Sequence, residues 1–369
     1  MRIAQIGFNL ECGGIQNMLA NLSLGLAELG HHVDVFCLDR ATGSACEQQW
    51  LETLSRSGVN VRFLGRKRHR VGIRALARLR RIARAGRYDV LHSHWPLLDA
   101  LVGAFRSRGK NASTHVVTVH STVQSRSPIM RFCATGSHVA YCSRAARRQS
   151  SFPSASATVI PNAIREPQSR AGRGAVRESI GLDAKTPVVI SVGRLSPEKN
   201  FPRALEAVAE LRARIPHRGL RFLIAGDGSE FEPLRSAAQT LGLEDTVTFL
   251  GARTDVADML DASDVFLSTS TYEGMPLAVL EALHAGLPCV LSDIEEHHEV
   301  AGQMTACEFV NPSHCGRLSS AILRFLENPP DTSQLMRIRR PLLRPYSTDA
   351  CARAYAEFFT SAIRRNALR

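Results

Sequence analysis

Short apolar, β-branched runs alternate along this chain with longer amphipathic stretches. "RIAQIGF" predicts a strand, "NLECGG" a loop, and the spacing of apolar residues from Ile15 to Leu29 a helix. "GHHVDVFCL", "YDVLHSHW" and "HVVTVHST" predict further strands. After Pro161 the segment "REPQSRAGRGAVRES", rich in Arg, Ser and Gly, breaks the pattern and predicts a linker. The alternation then restarts: "PVVISVGRL", a helix over 201–213, "LRFLIAGDG", a helix over 230–242, "TVTFLG", a helix over 254–261, "DVFLSTS", a helix over 276–285, and "PCVLSD".

Strands separated by helical stretches of this length imply βαβ units and parallel sheets. Two such sets predict an α/β protein of two Rossmann-like doubly wound domains facing across a cleft, with ligands at the strand C-termini. The expected bounds are 1–168 for the first domain and 169–345 for the second. Residues 346–369 predict one long amphipathic helix with Tyr355, Phe358 and Phe359 toward a core, crossing back to the N-terminal domain.

Composition sharpens this picture in two ways. The 369 residues, 44% hydrophobic, suffice for two cores of ordinary size. The net charge of +12 is unevenly spread, because residues 1–170 carry an excess of 15 positive charges and residues 171–330 an excess of 8 negative ones. One domain is therefore expected to meet something anionic. The N-terminus shows no apolar segment of signal-peptide type, and no apolar run is long enough to suggest a membrane span. The nine cysteines form no C-x-x-C pair, so they are expected to be core residues in a reducing, cytoplasmic setting, without a zinc site.

Two stretches carry candidate chemistry. In "SVGRLSPEKNF", Arg194 and Lys199 flank a strand-to-helix turn, where a bidentate fork and a mobile ammonium would grip a diphosphate. The bland alternative is a solvated loop with two surface cations. In "STYEGMPLAVLEALHAGLPCVLSD", Glu273 stands before a helix that Pro276 begins, and Glu281 lies further along it. Backbone N–H groups between Gly274 and Leu277, other than at Pro276, are expected to be free for an anion. A sugar nucleotide presents the matching series of sugar hydroxyls, diphosphate and ribose hydroxyls.

With "GRLSPEKNF", "AGDGSEFEPLR", "VTFLG" and "YEGMPLAVLEALHAGLPCVLSD", the second half resembles the family 4, GT-B-fold retaining glycosyltransferases. The first half is similar in "GGIQNMLANLSLGLAELGHHVDVF", "YDVLHSHW", "VVTVHST" and "VIPNAI". The Glu-x7-Glu spacing of Glu273 and Glu281 is that family's signature. The resemblance implies that Arg194 and Lys199 hold the donor diphosphate, with Gly274, Met275, Pro276 and Leu277 beside it. It implies that Glu281 binds ribose, that Glu273 contacts the transferred sugar, and that His120 lies near it. Gly13 and Gly14 match the glycine-rich loop beneath donor phosphates or acceptor, and Gly226 and Gly228 a crevice turn. No Asp-x-Asp motif is present, so neither a metal nor another cofactor is expected.

The family's "NGVD" is "NAIR" here, with Ala163 and Arg165 substituted, and "DIEEHHEV" replaces a glycine-rich loop while Glu299 keeps the final carboxylate. His297 and His298 are expected in a loop shaping the sugar pocket. His92 and His94 share a strand face, which suits lining or packing; metal binding would need a third ligand. "RKRHRVGIRALARLRRIARAGRYD" (66–89) reads as an amphipathic helix with outward arginines, or as one docking on an anionic membrane. Few aromatics accompany those arginines, so nucleic acid is not an expected partner. The expected partners are a UDP- or GDP-sugar donor and a lipopolysaccharide-core, exopolysaccharide or other lipid-linked glycan acceptor, at the inner face of a membrane. The alternative is a basic membrane- or nucleic-acid-binding protein with a vestigial transferase cleft.

Overall fold

The computed structural model describes residues 1–67, 72–85, 87–95, 112–120, 138–150, 156–166, 169, 171–217 and 219–367. The chain divides into two units, residues 1–165 with 345–369, and residues 166–344. Each contains one all-parallel sheet.

In the first unit the strands are β1 (Arg2–Gly7), β2 (His32–Asp39), β3 (Asn60–Arg66), β4 (Val90–Ser93), β5 (Thr114–Val119), β6 (His138–Tyr141) and β7 (Ser156–Val159). Their order is β3-β2-β1-β4-β5-β6-β7, the doubly wound arrangement in which strand order reverses beside β1. Strands β1, β4, β5 and β6 are buried on both faces except at the first residue of β1, and polar residues they carry, among them Gln5, His92 and Thr118, are buried with them. Among the described residues, helices α1 (Gly14–Glu28), α2 (Ala45–Arg56), α3 (Ile73–Arg84) and α4 (Arg144–Gln149) belong to the N-terminal part.

The second unit begins with α5 (Arg173–Ser179), so the latter half of the expected linker is helical. Arg177 explains why. Its guanidinium is buried and donates to the carbonyls of Asp183, Ala262 and Thr186, docking the segment on the unit that follows. Strands β8 (Val188–Val192), β9 (Arg221–Ala225), β10 (Val247–Gly251), β11 (Val265–Ser268), β12 (Cys289–Ser292) and β13 (Cys307–Val310) form a sheet in the order β10-β9-β8-β11-β12-β13. Helices α6 (Phe201–Arg214), α7 (Phe231–Thr240), α8 (Val256–Asp261), α9 (Leu277–His284), α10 (Glu295–Ala301), α11 (Cys315–Glu327) and α12 (Thr332–Leu343) follow the strands.

The final helix, α13 (Thr348–Ala367), belongs to the first unit and buries Tyr355 and Phe359 completely, while Phe358 packs at the edge of the same core. Its closest neighbour is α1. A methyl group at Gly25 would stand 2.8 Å from the Ala352 Cβ and 3.1 Å from the Thr348 carbonyl, so glycine permits the two helices to touch.

Helix α3 lies on the other face of the sheet, burying Ala75, Leu79 and Ala83 while Arg74, Arg78 and Arg81 stay exposed. Arg78 reaches back to the Leu64 carbonyl at 2.9 Å. Gly103, most of "HWPLLDALVG" and residues 68–71 and 86 of the basic stretch lie outside the described residues. Among the described residues no helix is long and apolar enough to cross a membrane.

The cysteines depart from expectation. Cys37, Cys142, Cys289 and Cys351 are buried thiols, but Cys12 is exposed and disulfide-bonded to Cys46, with the Cα atoms 5.5 Å apart.

Candidate active site

In the second unit the candidate side chains follow the C-terminal ends of β8, β9, β11 and β12, which lie along one edge of the parallel sheet. After β8 the chain turns through Arg194 and a single 3-10 turn over Pro197–Lys199, then enters α6 through Asn200, whose φ of 52° is left-handed. The segment after β11 clamps this turn. Thr271 N–H donates to the Glu198 carbonyl at 2.8 Å, and Thr269 Oγ1 donates to the Asn200 carbonyl at 2.9 Å.

The clamp brings Lys199 Nζ to 2.6 Å from Glu273 Oε1, with both side chains largely buried. Ser270 Oγ donates to the same oxygen at 2.7 Å. Glu281 stands within electrostatic reach of Lys199. Burial raises its carboxyl to about 7, and the Lys199 charge acts in the opposite sense. Arg194 differs: its side chain is 71% exposed, with the guanidinium held by Glu198 at 2.7 Å. Burial pushes the Glu198 carboxyl up, yet bonds from Ser196 and Arg194 prevail and lower it. Thus Lys199, Glu273 and Glu281 form one cluster, and Arg194 is tethered at its margin.

Gly226 and Gly228 have a steric role. A Cβ at Gly226 would lie 1.8 Å from the Gly193 carbonyl oxygen, and one at Gly228 2.2 Å from that of Leu195. The turn after β9 thereby seats against the turn after β8, joined by Leu195 N–H to the Asp227 carbonyl at 3.0 Å.

The expected run of free amides before α9 is not found. Pro276 has no N–H, Leu277 N–H closes a turn on the Met275 carbonyl at 2.9 Å, and Gly274 and Met275 have partners of their own. Pro276 caps the helix rather than opening its first turn. His297 and His298 are likewise not in a loop but on α10. His297 is wholly buried, its Nδ1 2.9 Å from the Ser292 carbonyl and its Nε2 3.4 Å from Ser268 Oγ. Since a carbonyl only accepts, the Nδ1 carries the proton and Nε2 is the acceptor. Burial lowers its pKa, with Glu273 opposing. His298 instead pairs with Asp293 at 2.7 Å and stacks on Phe309. Sequence reasoning missed Ser270 and the separate fates of these two histidines; the Ser-x-x-Glu spacing was the available signal for the former.

In the first unit, His120 follows β5 and is nearly buried, its Nε2 3.1 Å from His94 Nδ1. His94 Nε2 donates to Gln5 Oε1 at 2.7 Å. Burial holds His120 down at about 4, against a bond from Asn162, and keeps His94 well below its ordinary value. His92 faces Thr118 at 2.7 Å, and Thr118 in turn meets the Tyr355 hydroxyl of α13. This row packs between strands and helix; among the described residues no group of three His, Cys, Asp or Glu is placed to hold a metal ion. Gly13 precedes α1 and Gly14 begins it; a Cβ at Gly13 would meet Gln16 Oε1 at 2.4 Å. The Gln16 amide donates to Asn9 Oδ1 at 3.0 Å, closing the loop on itself.

Two doubly wound sheets, one with a Lys–Glu–Glu cluster at its strand ends, place the chain among the Rossmann-like α/β proteins. Residues 12–166 match the family described as Glycosyltransferase Family 4, and residues 173–340 that described as Glycosyl transferases group 1. The chain belongs to this glycosyltransferase family. An Escherichia coli protein named UDP-Gal:alpha-D-GlcNAc-diphosphoundecaprenol alpha-1,3-galactosyltransferase is 40% identical over 144 residues, 37% of this chain and 36% of that one. Alpha-D-kanosaminyltransferase of Streptomyces kanamyceticus is 30% identical over 45% of this chain and 43% of its own. The chain thus spans less than half the length of these relatives. Anabaena Alr3699/HepE in complex with UDP-glucose shares the fold with a TM-score of 0.81, at 19% identity, over 98% of this chain and 100% of that one.

Proposed function

We propose that this chain is a retaining glycosyltransferase that moves a sugar from a nucleotide-diphosphate donor, of UDP type, to a hydroxyl of a lipid-linked or exopolysaccharide glycan. The Lys199–Glu273 ion pair at 2.6 Å, with Glu281 in electrostatic reach, carries this reading. When the bond between the sugar C1 and the diphosphate oxygen breaks, negative charge grows on the leaving diphosphate. A preorganised ammonium at Lys199, joined by the Arg194 fork, stabilises that charge. Glu273 supports the positive charge developing on the sugar ring, and Glu281 accepts from ribose hydroxyls. His120, neutral at ordinary pH, contacts the transferred sugar. The leaving group's charge is met by side chains, so the reaction is proposed to proceed without a metal.

The acceptor reading draws on the relatives named above and on charge. Helix α3 carries exposed arginines, and Ile73 at its start is 78% exposed. That face suits an anionic bilayer surface, where each basic residue contributes about 1 kcal/mol. A panel of UDP- and GDP-sugars, assayed for nucleotide release with lipid-linked acceptors, tests the reaction. Lys199→Ala and Glu273→Gln are expected to lower kcat by about 10²-fold or more. Wild-type turnover in both variants would sink the assigned roles.

A further inference from the structure

We propose that Cys12 and Cys46 form a reversible redox-modification site, addressed by small thiols and disulfides, which fixes or frees the glycine-rich loop before α1. The bond joins Cys12, directly before Gly13, to the second residue of α2. The loop is tied at one end by Asn9, whose Oδ1 accepts from Glu11 N–H and from Gln16. The disulfide ties its middle to a separate element.

That element is rigid where the bond meets it. Ser44 caps α2 by accepting from Glu47 N–H. The buried Glu47 carboxylate accepts from Thr42 N–H and Gly43 N–H at 2.9 and 2.8 Å. Oxidation therefore couples the glycine loop to a pinned turn, and reduction uncouples it.

The two sulfurs are unequal, which gives exchange a direction. Cys12 is exposed, whereas Cys46 is nearly buried at the N-terminus of a twelve-residue helix. A small thiolate attacks the accessible Cys12 Sγ, the S–S bond breaks, and its electron pair leaves on Cys46 Sγ. A second small thiolate then attacks the mixed disulfide and releases Cys12. Overall the protein disulfide and two thiols become two protein thiols and one small disulfide; the reverse reaction consumes that disulfide. The other described thiols, with Cys37, Cys142, Cys289 and Cys351 buried, serve as internal references.

The test uses the full chain poised with oxidised glutathione or with dithiothreitol, alkylated and mapped by mass. The expected result is a Cys12–Cys46 cross-linked peptide in the first sample and two alkylated thiols in the second. Amide hydrogen exchange over residues 8–16 is expected to quicken several-fold on reduction, and in Cys46→Ser under both conditions. Equal alkylation of Cys12 and Cys46 in both samples overturns the proposal, as does exchange over 8–16 that ignores the bond. The effect on catalysis rests on the function proposed above: the KM for the donor or acceptor should differ several-fold between oxidised and reduced wild type but not in Cys46→Ser. A redox response that persists in Cys46→Ser also overturns it. Mass mapping and exchange need no activity, so a bond and loop that respond in a chain that transfers no sugar would reject the function alone.

Discussion

Glu281 departs far from the ordinary behaviour of a carboxyl in the candidate site. Its carboxyl, normally near 4.5, is raised to about 7 because burial disfavours the anion more than Lys199 restores it. The folded chain therefore holds one more proton than the unfolded chain between those pH values, and stability falls as pH rises through that window. Glu281→Gln removes the penalty. Its Tm should exceed that of wild type by several degrees at about pH 8, and the gap should close below about pH 4.5. Thermal melts across that range check the sign. If the anion is what accepts from ribose, UDP should bind wild type more tightly as pH rises from about 6 to about 8, releasing a proton, while the Gln variant stays flat.

At the scale of elements, the site depends on two turns that interlock. Gly226→Ala places a methyl group against the Gly193 carbonyl, and the backbone must shift at the turn that carries Arg194 and Lys199. The expected cost is about 1–3 kcal/mol with a larger loss of donor affinity, read from denaturant melts and nucleotide titration of the same variant. Elements of this kind were legible in unequal measure. Strands such as "VVISV" and the helices from 201 to 285 announce themselves by unbroken apolar runs and helical spacing. The strands β6 and β13 have four residues each and too little pattern to separate them from loops. The α5 helix was hidden because Arg177 reads as a linker cation until its burial against three backbone carbonyls is seen. The Glu273–Glu281 spacing was visible in sequence; the Lys199–Glu273 pair was not, since 74 residues separate them. Free amides before α9 were predicted from proline and glycine alone, which say nothing of the turn that consumes the Leu277 N–H.

At the scale of the molecule, the chain leaves its first unit at 165 and returns at 345. The returning segment is structural: Phe359 is fully buried in the core that holds Val33, Val90 and Val116. Phe359→Ala should cost about 3–5 kcal/mol, visible as an early transition in denaturant. The same return collects positive charge, because residues 345–369 join the basic residues 1–165. Flotation with anionic vesicles should therefore succeed at low salt and fade as ionic strength rises, and neutral vesicles should not carry the protein. Calorimetric titration of UDP into wild type and Lys199→Ala tests the central claim most directly. The account predicts binding to wild type and an affinity at least about tenfold weaker in the variant, given the strength of charge-assisted bonds to phosphate. Equal affinity in the two proteins, or no heat with any nucleoside diphosphate, would contradict it.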